Sequence, residues 1–79
     1  MENLVKYIVC ELVENKDIVE VSSFEESEKV TILTIKTAEN DIGKVIGKDG
    51  KVARSIRTIV KSASAKTGKR FIVKIGERD

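Results

Sequence analysis

Gly47 and Gly50 stand three residues apart, between two segments whose apolar residues recur at helical spacing. Upstream, Ile42, Val45 and Ile46 fall at i, i+3 and i+4 and predict a short helix. Downstream, Val52, Ile56, Ile59, Val60 and Ala63 predict a long one over 51–66. Glycine reaches positive φ without a Cβ clash, so Gly47-Lys48-Asp49-Gly50 reads as a sharp loop between two helices. So short a first helix does not persist alone and has to be held by tertiary contacts. Asp41 or Asn40 is expected to cap it. Gly43, inside it, costs about 1 kcal/mol in helix propensity, which points to close packing or close approach by a ligand.

The loop has a chemical character. The second helix is expected to begin at about Gly50, so its unpaired N–H groups and positive dipole end face the loop. Lys48 and Lys51 add full charges there, and the two glycines are expected to leave the backbone bare to a bulky anion. The sum is a seat for a phosphate backbone. Charge along the chain agrees. Residues 1–40 hold four Lys/Arg against nine Asp/Glu, and residues 41–79 hold eleven against four. A basic half centred on a glycine loop points to a polyanion.

The other segments supply a scaffold. Leu4, Val5, Ile8, Val9, Leu12 and Val13 predict a helix over 2–14, with Asn15-Lys16 as its stop. Residues 18–24 read as a strand with Val19 and Val21 on one face and Ile18 and Phe24 on the other. Glu25 to Glu28 is a polar turn. Residues 29–36, dense in β-branched side chains, are the clearest strand and form an antiparallel hairpin with the first. Gly68 is expected to close the long helix, with Lys66 and Lys69 near its negative dipole end. Residues 70–75 form the last strand, with Phe71, Val73 and Ile75 on one face, and 76–79 a frayed tail. The order α-β-β-α-α-β buries these stripes most economically as an α+β fold, a three-stranded sheet with helices on one face.

Seventy-nine residues make one domain, spanning 1–79. Several function classes drop out. No apolar run is long enough for a membrane helix, and the N-terminus lacks the basic and apolar regions of a secretory signal. The single cysteine, Cys10, excludes an internal disulfide framework and fits a half-buried helix position and a cytoplasmic location. No histidine is present, which removes the commonest general base, the Ser-His-Asp triad and most zinc sites. Gly43 and Gly47 are separated by three residues rather than the four of a nucleotide-binding P-loop, and Asp49 follows Lys48 where Ser or Thr is needed. The dinucleotide fingerprint fails on the same spacing. No enzyme activity, cofactor or metal site is expected.

Ile46-Gly-Lys-Asp-Gly-Lys51, with Ile42, Val45 and the helix that follows, resembles the GxxG loop of KH domains. The element order resembles the type II, prokaryotic form, and a chain of this length is similar to the bacterial KhpA family of single-KH RNA-binding proteins. The resemblance implies that single-stranded RNA is clamped over about four nucleotides, with the loop on its backbone. Gly47 and Gly50 would then admit phosphates, Lys48 would pair with one, and Lys44, Lys51 and Arg54 would line the approach. Ile42 and Ile46 would help floor the base site. Dimerisation, with itself or with another KH protein, and a role as RNA chaperone or post-transcriptional regulator are further implications.

Two features set the expected strength. The aromatic residues Tyr7, Phe24 and Phe71 lie away from the loop in sequence, so stacking, worth about 1–3 kcal/mol per base, contributes little. Asp49 puts a negative charge inside the loop. Modest, salt-sensitive and weakly sequence-specific binding follows. A protein-interaction module with RNA secondary is the alternative, and single-stranded DNA is a third ligand that no residue pattern here separates from RNA.

Overall fold

The computed structural model describes residues 1–77. Three helices, α1 (Glu2–Leu12), α2 (Ile42–Ile46) and α3 (Lys51–Ser64), and three strands, β1 (Glu20–Glu25), β2 (Val30–Thr37) and β3 (Arg70–Glu77), follow in the order α1-β1-β2-α2-α3-β3. Short 3-10 turns occupy Lys16–Ile18, Glu39–Asp41 and Lys48–Gly50.

β2 is the centre of the sheet, whose order is β1-β2-β3. β1 pairs with it antiparallel, Val21 opposite Ile35 and Ser23 opposite Leu33. β3 pairs with its other side in parallel, Val73 opposite Leu33 and Ile75 opposite Ile35. A parallel neighbour needs a crossover, and α2 and α3 supply it. Alternation along β2 decides which face is covered. Thr31, Leu33, Ile35 and Thr37 are buried, whereas Ile32 and Thr34 are half-buried and Lys36 is exposed. The helices press onto the odd-numbered face: Val5 and Val9 of α1, Val45 of α2, and Ile56 and Val60 of α3 join Leu33, Ile35 and Val73 in one cluster. The α+β architecture expected from the sequence, with helices on one face, is the one observed.

Several boundaries and faces differ from expectation. α1 stops at Leu12, two residues early, because Val13 turns extended (φ −101°, ψ 160°) and the next N–H groups are taken by a distant carboxylate described below. Leu4 and Leu12, placed in the apolar stripe, lie at its margins and are exposed. Ile18 belongs to a 3-10 turn, its N–H bonded to the Asn15 carbonyl, so β1 starts at Glu20 and Ile18 does not share a strand face with Phe24. The expected polar turn loses Glu25 to β1, and β2 begins one residue late, at Val30.

α3 ends at Ser64, and its buried stripe is Ala53, Ile56, Val60 and Ser64. That stripe is rotated from the expected one, leaving Ile59 and Ala63 exposed and Val52 half-buried. Ala65 caps the helix with right-handed geometry, and Gly68 takes its positive φ of 72° only at the end of the following turn. β3 runs past Ile75 because Gly76 and Glu77 continue the parallel register against Lys36 and Thr37. The rest of the expected frayed tail, 78–79, lies outside the described residues.

Candidate nucleic-acid interface

The four loop residues adopt a conformation that few side chains accept. Gly47 has φ 77° and ψ 173°, and Gly50 has φ 73° and ψ 16°. Between them Asp49 is left-handed, at φ 56° and ψ 26°, the one non-glycine residue with positive φ among those described. Aspartate is among the side chains that tolerate this region. Arg54, one turn into α3, donates from Nη2 to the Asp49 carbonyl at 2.9 Å and so pins the reversal from the helix side.

The two glycines serve different ends. A Cβ on Gly47 would sit 2.4 Å from Val52 Cγ2 and 2.9 Å from the Val52 amide nitrogen, so this glycine lets the loop close onto α3. That face is filled and not bare to a ligand, contrary to expectation. A Cβ on Gly50 would meet nothing within 4 Å. Gly50 is therefore the position where the backbone is left open. It is also the residue preceding α3, whose first N–H groups receive no side-chain cap. Lys48, Lys51 and Arg54 are all exposed around it.

α2 adds an apolar margin. Val45 points into the core, while Ile42 is half-buried and Ile46 is 39% exposed. Gly43 is exposed with nothing within 4 Å of its Cβ position, so close packing does not explain it. Ile42, Gly43 and Ile46 thus form a smooth apolar step that leads to the loop.

Lys44 is placed elsewhere. Its ammonium lies 2.9 Å from Glu14 Oε1 and 3.5 Å from Asp41 Oδ1, on the side of α2 that meets the end of α1. The hydrogen bond that the ammonium donates to the Glu14 carboxylate is the foremost reason its pKa is raised. The structure therefore brings Lys48, Lys51 and Arg54 together and sets Lys44 apart.

Asp41 was expected to cap α2, as was Asn40, but α2 has no side-chain cap hydrogen bond. The Asp41 carboxylate turns backwards instead. It is fully buried and accepts from the Asn15 N–H at 2.9 Å, the Glu14 N–H at 3.2 Å and Asn15 Nδ2 at 2.9 Å. The Asn15 amide also donates to Asn40 Oδ1 at 3.1 Å. These donors, the Asn15 N–H foremost, hold the carboxyl well below its ordinary 3.8, at about 2, against the opposing effect of burial. The clasp joins residues 26 and 27 apart in sequence. Reading the sequence missed it, since a side chain that can cap its own helix gives no local sign that it caps a distant turn.

A mixed three-stranded sheet reached in the order α-β-β-α-α-β, with a glycine-bounded loop joining its second and third helices, is a KH fold of type II. A family model described as "KhpA/KhpB, KH domain" matches residues 2–75, and the chain belongs to that family. It is 48% identical over 75 residues to RNA-binding protein KhpA of Caldanaerobacter subterraneus subsp. tengcongensis, covering 95% of this chain and 99% of that one. To RNA-binding protein KhpA of Clostridium acetobutylicum it is 44% identical over the same shares. To that of Aquifex aeolicus it is 39% identical over 98% of this chain and 96% of the relative. No solved structure gives a significant match.

Proposed function

We infer that residues 1–79 form one KH module that binds single-stranded RNA, with the backbone seated on Gly47–Lys51 and bases leaning on Ile42, Gly43 and Ile46. The observation that carries this reading is the open Gly50 at the uncapped start of α3, ringed by Lys48, Lys51 and Arg54. Relatives named RNA-binding proteins, matched along nearly their whole length, support it. The module works without a catalytic step, and a cytoplasmic RNA chaperone or post-transcriptional regulator is the role that fits. No helix among the described residues is long and apolar enough to cross a membrane. Asp49 offsets the charge of Lys48 within the loop, so Lys51 and Arg54 at the start of α3 supply the net attraction, and Lys44, drawn onto Glu14, contributes least of the four nearby cations.

The test is fluorescence anisotropy with a short single-stranded RNA, for wild type and Lys48→Asp, over a salt series. One lost phosphate contact lowers the slope of log K against log salt by about 0.7. Affinity should fall at least tenfold while circular dichroism is unchanged. Equal binding by both proteins removes the loop from the site. A matched DNA strand, run in parallel, separates RNA from DNA.

A second KH chain is a further partner in this reading. Phe24, 65% exposed, stands in register with Ile32, and Ile32 with Ile72, giving an apolar ladder across the sheet face away from the helices. Sedimentation velocity of wild type and Phe24→Ser tests whether that ladder supports a dimer.

A further inference from the structure

β1 is paired on one side only, since the sheet order is β1-β2-β3. Its main chain decides what the other side offers. In an antiparallel pair, opposed residues alternate between those that exchange hydrogen bonds and those that do not. Glu26 donates its N–H to the Val30 carbonyl at 2.9 Å, just beyond the Glu25–Thr31 pair. Counting back from there, Phe24 and Ser22 bond to β2, while Val21, Ser23 and Glu25 turn their N–H and C=O groups away from it. Edge strands are ordinarily blunted by lysine, proline or a bulge. β1 contains neither residue, and its register against β2 is unbroken from Glu20 to Glu25. Apart from the half-buried Val21, every residue of β1 is exposed.

What the edge does carry is negative charge. Residues 17–28 hold five Asp/Glu and no Lys/Arg. Pairing with the same edge of a second copy would set these acids against one another, and they repel an RNA strand as well. A basic segment is attracted. A cavity of about 390 Å³ adjoins the strand on the helix side, bordered by Glu2 of α1, Ser23 and Glu25 of β1, and Thr31, Leu33 and Phe71 of the other strands. Thr31 is 5% exposed, and its hydroxyl, which makes no hydrogen bond among the described residues, opens onto this cavity. Glu2 accepts a hydrogen bond from the Ser23 hydroxyl. Glu25 meets Lys69 Nζ at 3.9 Å, beyond hydrogen-bond distance, and stays 74% exposed. Two carboxylates thus face one ammonium, and Leu33 and Phe71 suit the methylene stem of a long cationic side chain.

We propose that the outer edge of β1 takes an extended, basic segment of a partner protein as a fourth strand, with one Lys or Arg of that segment reaching into the cavity beside Ser23 and Glu25. Val21, Ser23 and Glu25 supply main-chain hydrogen bonds, which give affinity irrespective of sequence, and the cavity selects the side chain. An added strand lies about 4.8 Å beyond β1, and its residue opposite Glu25 projects on the same face as Glu25. The site makes no use of Gly47–Lys51 and stands independently of the reading of that loop.

The experiment uses a fluorescein-labelled nonapeptide, Thr-Val-Thr-Arg-Thr-Arg-Thr-Val-Thr, in anisotropy, and the unlabelled peptide with ¹⁵N-labelled protein. Amides in 20–25 should shift and those in 47–51 should not. Ser23→Pro removes one outward N–H and no bond to β2, a place where an edge strand tolerates proline, and should weaken binding about tenfold. Ser23→Ala keeps that N–H and should stay within about threefold of wild type. If the proline variant does not fold, peptides N-methylated at alternate residues make the same test on wild type: one frame should lose binding and the other keep it. A peptide with glutamate in place of both arginines should bind at least tenfold more weakly. A peptide that leaves 20–25 unmoved overturns the proposal. So do a Ser23→Pro variant and N-methylated peptides that bind as the originals do, since the arginines then only cling to an acidic surface. Amides in 20–25 that shift when the protein alone is concentrated put a second copy on the edge, which overturns it too.

Discussion

Replacing each loop glycine by alanine should separate the two reasons for glycine in a GxxG loop. At Gly50 the added methyl enters open space, so the cost is that of an L-residue held left-handed, about 1–2 kcal/mol. At Gly47 two costs combine. The backbone, at φ 77° and ψ 173°, lies in a region essentially reserved for glycine, worth about 1–3 kcal/mol. The methyl would also stand 2.4 Å from Val52 Cγ2 and 2.9 Å from the Val52 nitrogen, and overpacking of this kind adds about 1–3 kcal/mol. Gly47→Ala should therefore lose about 2–6 kcal/mol, against a total stability on the order of 4–12 kcal/mol for a chain of this size. Urea denaturation followed by circular dichroism measures both variants. With a slope of about 1 kcal/mol/M, Gly50→Ala should lower the midpoint by about 1–2 M, and Gly47→Ala by more or to the point of unfolding. Trimming the neighbour offers a sharper check. Val52→Ala removes Cγ2 but leaves the Val52 Cβ at 2.8 Å and the backbone nitrogen at 2.9 Å, so the double variant should recover little. Full rescue, or a Gly47→Ala no worse than Gly50→Ala, would refute the account of how the loop closes.

Acid should loosen the clasp between α1 and α2. The Asp41 pKa is depressed, so its contribution is complete above the ordinary 3.8 and is lost as pH falls towards about 2; the melting temperature should drop across that window, and less steeply in Asp41→Asn. Glu14→Gln releases Lys44 from its 2.9 Å ion pair, and RNA affinity should rise by a few-fold at low salt, while Lys44→Gln in the same background should return it to the wild-type value in anisotropy. Leu33→Ala, at a fully buried position in the central strand, should cost about 2–5 kcal/mol in urea denaturation, whereas Ile59→Ala, 42% exposed, should cost well under half of that.

What could be read in advance divides along the range of the forces involved. Pattern and composition are local, and they located all six elements and the loop, since β-branched residues crowd 29–36 and Ile56 and Val60 recur along a helix. The lysines and arginine at 48, 51 and 54 were legible for the same reason: they lie within one turn of the residue that opens the backbone. The sense of the β2–β3 pair was not legible, because it is set by the path of the crossover. The rotation of α3 was missed because Ala53 and Ser64, small and weakly apolar, are buried where it crosses the sheet, and Ile59 is left outside. Ile18 misled as well. A β-branched residue beside a valine reads as strand, but the hydrogen bonds of the preceding turn took it first.

The stretch from Asp41 to Lys51 faces two ways, and this explains why residues so close in sequence have such different surroundings. Its first half is tied to α1: the Asp41 carboxylate holds the Glu14 and Asn15 amides, and Lys44 closes the same cluster from the next turn. Its second half is tied to α3 by the packing of Gly47 on Val52 and by the Arg54 bond to Asp49. A five-residue helix has little stability of its own, so α2 is held by these two attachments and by Val45 in the core. The loop geometry is thus over-determined from both sides. A left-handed aspartate beside a left-handed glycine persists because relaxing the loop would cost either the attachments of α2 to α1 or the Gly47–Val52 packing and the Arg54 bond. If Gly50 is the phosphate seat proposed above, its donors are already in place and little ordering entropy opposes binding.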